Sequence, residues 1–358
     1  MISYASKHDA CLALQHQALF TLQFAQQEQI RLKDLPHLDS ADLIQHELRW
    51  ISPEQYLNAL QELQRGVATA HKEELSFLLG SQLLPGQVGA ASNALLHAQN
   101  LRQALACLVQ FQSVLCPLLT PRLKIQEHHT ILYWMDAWGR PSALPFLVEM
   151  HMSAVTAMCH WLSGVRLPWT FCFNRNPPRH IEQHHVHLGS QLRFNCYIDA
   201  MIIQNDHLDQ AWPRANNFAF QRAHHLAQNE LEAMPLAESL LKSVYDFLIL
   251  HIQEQPTLDK TAQAFNCSSA TLKRHLAEHG SHFQAELDQA RTHMALYLFH
   301  TQGYDNEAVA RYLGFHDATN FRRSFKRWTG VTPSFLKQAL DPLDWMFTTN
   351  NTNNWNIS

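Results

Sequence analysis

Features typical of membrane proteins, secreted proteins and disulfide-stabilised proteins are missing from this 358-residue sequence. Its seven cysteines are odd in number and contain no C-x-x-C pair, which argues against a disulfide framework and a structural zinc finger. The longest uncharged apolar region, 150–165, is too short to span a bilayer. The first ten residues lack the basic and apolar regions of a secretory signal. We therefore expect a cytoplasmic protein without a membrane segment.

Motifs of common enzyme classes are also missing. The sequence contains no G-x-S-x-G, no G-x-x-x-x-G-K-[ST] and no H-E-x-x-H. We predict no catalytic residue, no cofactor and no metal site. Many active sites are assembled from distant residues, so an enzyme fused to a DNA-binding module stays open as the alternative.

The composition is that of a globular protein with about two domains. Hydrophobic residues make up 46% of the chain and charged residues 16%, and the net charge is −4. Between 256 and 340 there are ten Lys and Arg against seven Asp and Glu, so this part is basic and the rest acidic. A basic module on an acidic body suits a nucleic-acid partner for that module alone.

The front of the chain predicts an α+β domain. Residues 1–119 have mostly helical spacing, and Ser52-Pro53-Glu54-Gln55 is a helix start with a Ser N-cap and a capping-box Gln. From 121 onwards the pattern predicts β-β-α-β-α-β-β, beginning with a hairpin that turns near His129-Thr130. The polar segment 211–229 indicates a connection, and 236–252 a further helix.

The C-terminal part contains two stretches with the pattern of a DNA-reading helix. In 318–329, Phe321, Phe325 and Trp328 form one apolar stripe and four cations cover the remaining surface. In 270–279, Leu272 and Leu276 form a weaker stripe. A helix with a buried stripe and outward cations fits a DNA groove, and two such units indicate a tandem helix-turn-helix.

These stretches resemble the AraC/XylS family of transcription regulators. Residues 258–276 are similar to that family's first helix-turn-helix, and 308–317 with 320–333 to its second. The resemblance implies that recognition helices read adjacent major-groove segments of double-stranded DNA. Carried onto this chain, it predicts DNA contacts at Ala270, Thr271, Lys273, Arg274, Ala318, Thr319, Arg322, Arg323, Lys326 and Arg327. Asn266 stands where the family usually has Gly, and Gly314 is expected to supply the second turn's backbone freedom.

The front of the chain resembles the arabinose-binding-type N-terminal domain of ornithine- and arginine-type AraC regulators, over about 35–217. The predicted fold is therefore an α+β N-terminal sensor domain followed by an all-α C-terminal domain with two helix-turn-helix motifs. We place the sensor and dimerisation domain at 1–217, the connection at 218–235, the DNA-binding domain at 236–340 and a flexible tail at 341–358. The resemblance implies a small-molecule effector, a homodimer and, for an activator, contact with RNA polymerase. A front domain that only dimerises or docks a protein is the alternative.

Aromatic residues crowd the sequence between 134 and 173. Their ordinary interpretation is a filled core. The sharper hypothesis is a pocket for an apolar or fatty-acid-like effector, with an amino acid as the other candidate by family analogy. The candidate pocket residues are Trp134, Trp138, Phe146, Trp161, Trp169, Phe171 and Phe173, with Arg140, Arg166 or Arg193 holding a carboxylate.

The sequence contains 24 histidines, which is unusually many. His180 and His184 have the i, i+4 spacing of a metal pair, but histidine pairs elsewhere favour a compositional habit. His275, His279 and His282 lie near the first DNA-reading unit, where protonation below about pH 6.5 would add positive charge. This predicts tighter DNA binding in acid.

Overall fold

The computed structural model describes residues 2–35, 48–68, 71–84, 89–235, 238–300, 302–330 and 332–333. The predicted tail at 341–358 lies outside these residues. The strands are β1 (Leu12–Ala13), β2 (Trp50–Ile51), β3 (Leu119–Ile125), β4 (His129–Asp136), β5 (Thr170–Cys172), β6 (Leu192–Arg193) and β7 (Asp199–Gln204). The helices of the front part are α1 (Leu19–Gln27), α2 (Pro53–Gly66), α3 (Leu75–Leu83), α4 (Gly89–Leu96), α5 (Leu101–Gln110), α6 (Gln112–Leu115), α7 (Leu144–Ser163), α8 (Glu182–His187) and α9 (Asn217–Ala233).

The C-terminal part is helical throughout its described ranges. It comprises α10 (Leu240–Leu250), α11 (Leu258–Ala264), α12 (Ser269–Glu278), α13 (Phe283–His300), α14 (Asn306–Tyr312) and α15 (Ala318–Thr329). The predicted fold class, an α+β front followed by an all-α domain, is confirmed. None of the helices in the described ranges is long and apolar enough to cross a membrane.

One five-stranded sheet, in the order β3-β4-β7-β5-β6, organises the front domain. The predicted succession β-β-α-β-α-β-β is confirmed by β3, β4, α7, β5, α8, β6 and β7. The predicted position of the hairpin turn was wrong, because His129 already begins β4 and the turn lies at 126–128. His129 and Thr130 therefore belong to the strand and not to the turn.

The inner face of the sheet packs on the front-domain helices. Leu132, Trp134 and Met201 belong to this core. In one of the helices, α2, Ser52 forms the predicted capping box with Gln55. Helix α7 approaches α3 so closely that a methyl group on Gly80 would lie 2.1 Å from the Met150 carbonyl oxygen. Glycine is therefore required where these two helices touch.

The outer face of the same sheet packs on the helical C-terminal part. Ile131, Tyr133 and Ile202 share a second core with α10, α12, α13, α14 and α15. Both faces of the central strands are thus covered, which explains why β4 is a nearly continuous run of buried residues. The two parts of the chain consequently share one apolar interface.

The segment predicted to connect the domains, 218–235, is mostly helix. Its residues form α9, which starts at an Asn216 cap and buries Phe220, Ala223 and Ala227 in the front-domain core. Polar residues cover the remaining helix surface, and that polar surface led to its interpretation as a linker. The chain passes to the second domain after Met234, within a short stretch before Ser239 caps α10.

Candidate nucleic-acid interface and effector region

The first DNA-reading unit consists of α11, a tight turn and α12. The Ser268 hydroxyl caps α12 by accepting a hydrogen bond from the Thr271 backbone N–H at 3.1 Å. Leu272 and Leu276 are fully buried, as their spacing predicts. Asn266 takes a φ of 52° in the turn, so the asparagine adopts the left-handed conformation that its place in the motif requires.

The second unit, α14 and α15, is held by an aromatic core. The Asp317 carboxylate caps α15 through the Asn320 backbone N–H at 2.7 Å. Phe321 and Phe325 are fully buried, with ring centroids 5.6 Å apart, whereas Trp328 is only partly buried. The predicted role of Gly314 is confirmed by its φ of 75°.

The predicted DNA contacts lie on one accessible side of each helix. Thr271 and Ala318 are half-buried, and the Thr271 hydroxyl hydrogen-bonds with Ser268 Oγ at 2.8 Å. The other predicted contacts are exposed: Ala270, Lys273, Arg274, Thr319, Arg322, Arg323, Lys326 and Arg327.

The cations among these residues have only weak protein partners. Arg274 lies 3.9 Å from Glu278, and Arg327 lies 3.5 Å from Asp288. Exposed pairs of this kind contribute little stability, so phosphate oxygens can compete for both side chains. The arrangement gives each helix a positively charged outer surface on a rigid apolar support.

Of the three histidines near the first unit, His275, His279 and His282, only His282 is exposed. His279 is buried at the end of α12, and burial lowers the pKa of its ring. His275 is half-buried and hydrogen-bonds through Nδ1 with the Tyr4 hydroxyl at 2.6 Å. The hypothesis that His279 adds positive charge to a DNA surface in mild acid was therefore wrong.

The end of α12 is fixed against the front domain. The Lys7 backbone N–H donates to His279 Nε2 at 3.3 Å. Gly139, which follows β4 with a φ of 73°, lies so close that an added methyl group would be 1.7 Å from the His279 carbonyl oxygen. Helix α12 is thus packed directly against a turn of the front domain.

Polar contacts cross the same domain interface. Arg122 on β3 forms an ion pair with Asp246 on α10, and its guanidinium stands 5.1 Å from the centre of the Tyr245 ring. The Tyr245 hydroxyl hydrogen-bonds with His293 Nδ1 at 2.8 Å. Burial lowers the pKa of His293 to about 4, so this histidine is neutral at physiological pH.

The structure does not gather the predicted effector-binding aromatics around one cavity. Trp134, Trp169, Phe171 and Phe173 are buried in the front-domain core, as is Trp138. Trp161 is 40% exposed and lies beneath the Arg214 guanidinium, at 4.2 Å. These positions match the ordinary interpretation of alternating aromatics as core residues.

The remaining members of the predicted pocket are also dispersed. Phe146 is half-buried and borders, with Arg140, a cavity of only about 60 Å³. Arg166 donates to the carbonyl oxygens of Val186 and His187, at 3.1 and 2.5 Å. Neither cation is therefore positioned for a carboxylate bound among the buried aromatics.

A larger cavity of about 400 Å³ lies where the two domains meet. Trp138 borders it, together with residues that sequence reasoning missed: Gln112, Ser113, Thr120, Met234, Glu238, Ser239 and Lys242. Together with Trp138, these residues come from three stretches of the chain, 112–120, 138 and 234–242, which are separated in the sequence. Only the packing of α10 against the sheet brings them together.

The histidine-rich helix α8 packs by separate polar contacts. His184 is buried, with Nε2 3.0 Å from a Glu149 carboxylate oxygen that also pairs with Arg175 at 2.5 Å. His187 lies 3.2 Å from Glu74. Although burial opposes it, hydrogen bonding and the charge of Arg175 lower the pKa of Glu149, which keeps this carboxylate ionised.

Comparison with known protein families covers both parts of the chain. One model, described as the arabinose-binding domain of AraC transcription regulators, matches residues 37–211. A helix-turn-helix domain model matches residues 261–339. The chain belongs to the AraC family of transcription regulators. This confirms both resemblances seen in the sequence.

Individual relatives of this AraC-type regulator are transcription regulators as well. The ornithine utilization regulator of Pseudomonas aeruginosa is 26% identical over 270 residues, which cover 74% of this chain and 78% of that protein. The regulator VqsM of the same species is 28% identical over 134 residues, or 37% of this chain and 41% of its own. The solved transcriptional regulator CdpR of Pseudomonas aeruginosa is 20% identical and covers 79% of this chain and 96% of its own. Its TM-score of 0.35 is too low to carry an argument about the fold.

Proposed function

We propose that this AraC-type regulator reads DNA through α12 and α15, as a homodimer, under the control of a small molecule bound to its front domain. The observation that carries the proposal is the shared core. Two capped helices present exposed cations, and the same domain packs its apolar side on the sensor sheet. Any ligand that changes the sheet or its edge can therefore change how these helices are presented.

In this proposal the two ends of α15 have different roles. Arg322 and Arg323 are in the helix's first half, where guanidinium groups can bond two acceptors of guanine. Lys326 and Arg327 are one turn further along and hold phosphates, which position the protein without specifying sequence. Ala270, Thr271, Ala318 and Thr319 are small enough to contact thymine methyl groups.

Effector control operates by a shift in population between arrangements of the two domains. Contact with RNA polymerase belongs to this proposal if the protein activates transcription. The relative with a role in ornithine utilization favours an amino-acid effector over an apolar one. The dispersal of the predicted aromatic pocket supports the same choice.

The test begins with selection of duplexes from a random DNA pool by the full-length protein. We expect Arg323→Ala to weaken binding of the selected duplex by about tenfold to a hundredfold and to relax sequence preference, because it removes a base contact. Lys326→Ala should weaken binding to all duplexes alike and reduce the slope of log affinity against log salt by about 0.9.

Arg65→Ala is the matched control, because Arg65 is an exposed cation at the end of α2 in the front domain. It should leave DNA affinity and the salt slope unchanged. If Arg65→Ala and Arg323→Ala have equal effects, general electrostatics explains binding and α15 is not the reader.

A further inference from the structure

We propose that the 400 Å³ cavity between the domains is the effector site and that it binds an α-amino acid as a zwitterion. This inference rests on the proposed function, since it assigns a place and a ligand class to the effector. The position of the cavity, the charges in its wall and the apolar surface beside them support this assignment.

A ligand in this cavity would touch both domains and the chain that connects them. Its walls include Ser113 on α6, Thr120 on β3 and Trp138 beyond β4, all from the front domain. Met234 comes from the chain that passes between the domains, and Lys242 from α10 of the DNA-binding domain. A volume of about 400 Å³ is within the range of small-molecule sites, which begins near 300 Å³.

The charged groups in the cavity wall are one carboxylate and one ammonium. Lys242 Nζ lies 2.8 Å from Glu238 Oε1 and 2.9 Å from Asp246 Oδ2. Asp246 also pairs with Arg122, so two cations face two carboxylates. A ligand with a single charge would unbalance this set, whereas a zwitterion leaves it balanced.

An α-amino acid carries its carboxylate and ammonium on the same carbon, which matches the adjacent Lys242 and Glu238. The Lys242 side chain is only 12% exposed, but that of Glu238 is 60% exposed. Because such a partly exposed pair contributes little, Glu238 can move aside at low cost. Lys242 then donates to the ligand carboxylate, and Glu238 accepts from the ligand ammonium.

The rest of the wall suits the ligand's side chain. Leu119, Trp138, Leu231 and Met234 provide apolar surface next to the charged pair. Lys242 and Thr120 also border a second cavity of about 160 Å³ between the domains, whose wall includes Asp136 and Glu286.

A ligand bound to Lys242 would directly affect an ion pair at the domain interface. Asp246 joins Lys242 to Arg122 on the sheet, so a new partner for Lys242 changes the competition for the Asp246 carboxylate. The ligand is thereby linked to an ion pair between the two domains.

The test uses isothermal titration of the full-length protein with the standard L-amino acids and L-ornithine. We expect at least one to bind, and its forms lacking either the amino or the carboxylate group to bind at least about tenfold more weakly, because each loses a charge-assisted hydrogen bond. If either of these forms binds as tightly as the amino acid itself, the proposal that the ligand binds as a zwitterion is overturned. If no amino acid binds, the proposed ligand class is overturned.

Variants then locate the site. Lys242→Met, Glu238→Gln and Ser113→Phe should each weaken binding of the amino acid by about tenfold or more. Ser113→Phe should do so by filling the cavity. The controls are Arg102→Met and Asp209→Asn, which break an exposed ion pair with atoms 2.7 Å apart elsewhere in the front domain, and Ala106→Phe on the exposed side of α5. All three controls should bind normally.

The site and the proposed function can fail separately. If the amino acid binds all three site variants as tightly as the parent protein, the ligand lies elsewhere and the cavity assignment is overturned, while effector control stands. DNA affinity is measured on the same samples with and without the amino acid, and circular dichroism confirms folding. Should Lys242→Met not fold, Ser113→Phe and Glu238→Gln decide the question.

Discussion

Gly139→Ala is expected to separate α12, the first predicted DNA-reading helix, from the front domain. The new methyl carbon would lie 1.7 Å from the His279 carbonyl oxygen and 2.8 Å from the His279 Cα. Ordinary contacts between such atoms are about 3.5 Å or longer, so one backbone has to shift by about 1.5 to 2 Å. Neither is the end of a flexible side chain, so the contact must open.

The expected cost has two parts. Gly139 has a φ of 73°, and an L-residue in this region costs about 1–2 kcal/mol. Forcing the overpacked contact adds about 1–3 kcal/mol. Together these predict a loss of about 2–5 kcal/mol in the free energy of unfolding.

Gly164→Ala is the control that isolates the first part. Gly164 has a φ of 76°, but an added methyl group there would meet nothing within 4 Å. Urea unfolding of both variants measures the difference, and hydrogen exchange at the end of α12 reports whether the contact has opened. If Gly139→Ala costs no more than Gly164→Ala and leaves exchange unchanged, the seating of α12 on the front domain is not as described.

Three further outcomes follow from other contacts. Phe325→Ala should lower the free energy of unfolding by about 3–5 kcal/mol by leaving a cavity beneath α15, as measured in urea; a loss below about 1 kcal/mol would contradict its place in the core. Burial lowers the pKa of His293 and of His151 to about 4 in the folded protein, whereas the pKa of each is 6.5 in the unfolded chain. Between pH 4 and 6.5 the unfolded chain therefore binds more protons than the folded protein. The free energy of unfolding should thus fall as the pH drops from 6.5 towards 4, and a flat profile in urea titrations would argue against this. Because Arg122 and Asp246 are partly exposed, the double-mutant cycle of Arg122→Gln and Asp246→Asn should give a coupling of only about 0.5–1 kcal/mol, and no coupling would argue against the interdomain ion pair.

Local patterns predicted the DNA-binding domain well because its helices are specified by neighbouring residues. The spacing of Phe321 and Phe325, and the cap at Ser52 in the front domain, depend on positions three or four apart in the chain. Gly314 and Asn266 likewise take the left-handed conformations that their turns require. The sequence alone was sufficient for such features.

Features that depend on packing between distant segments could not be read in this way. The polar surface of α9 resembled a linker, since only three of its residues, Phe220, Ala223 and Ala227, are buried. The residues next to His279 in the sequence do not indicate burial, but His279 is buried and contacts Lys7 and Gly139, which lie far away in the sequence. The cavity beside Lys242 exists only because α10 lies against β3, and no pattern within either element indicates it.

The apolar outer face of the sheet limits how freely evolution or an engineer can exchange the two halves of this regulator. Ile131, Tyr133 and Ile202 would be exposed if the DNA-binding domain were replaced by one with a polar surface in their place. A functional chimera must therefore transplant the contacting surfaces of α10 and α13 together with the recognition helices. The two halves therefore form a matched pair through this face, although each resembles a separate module.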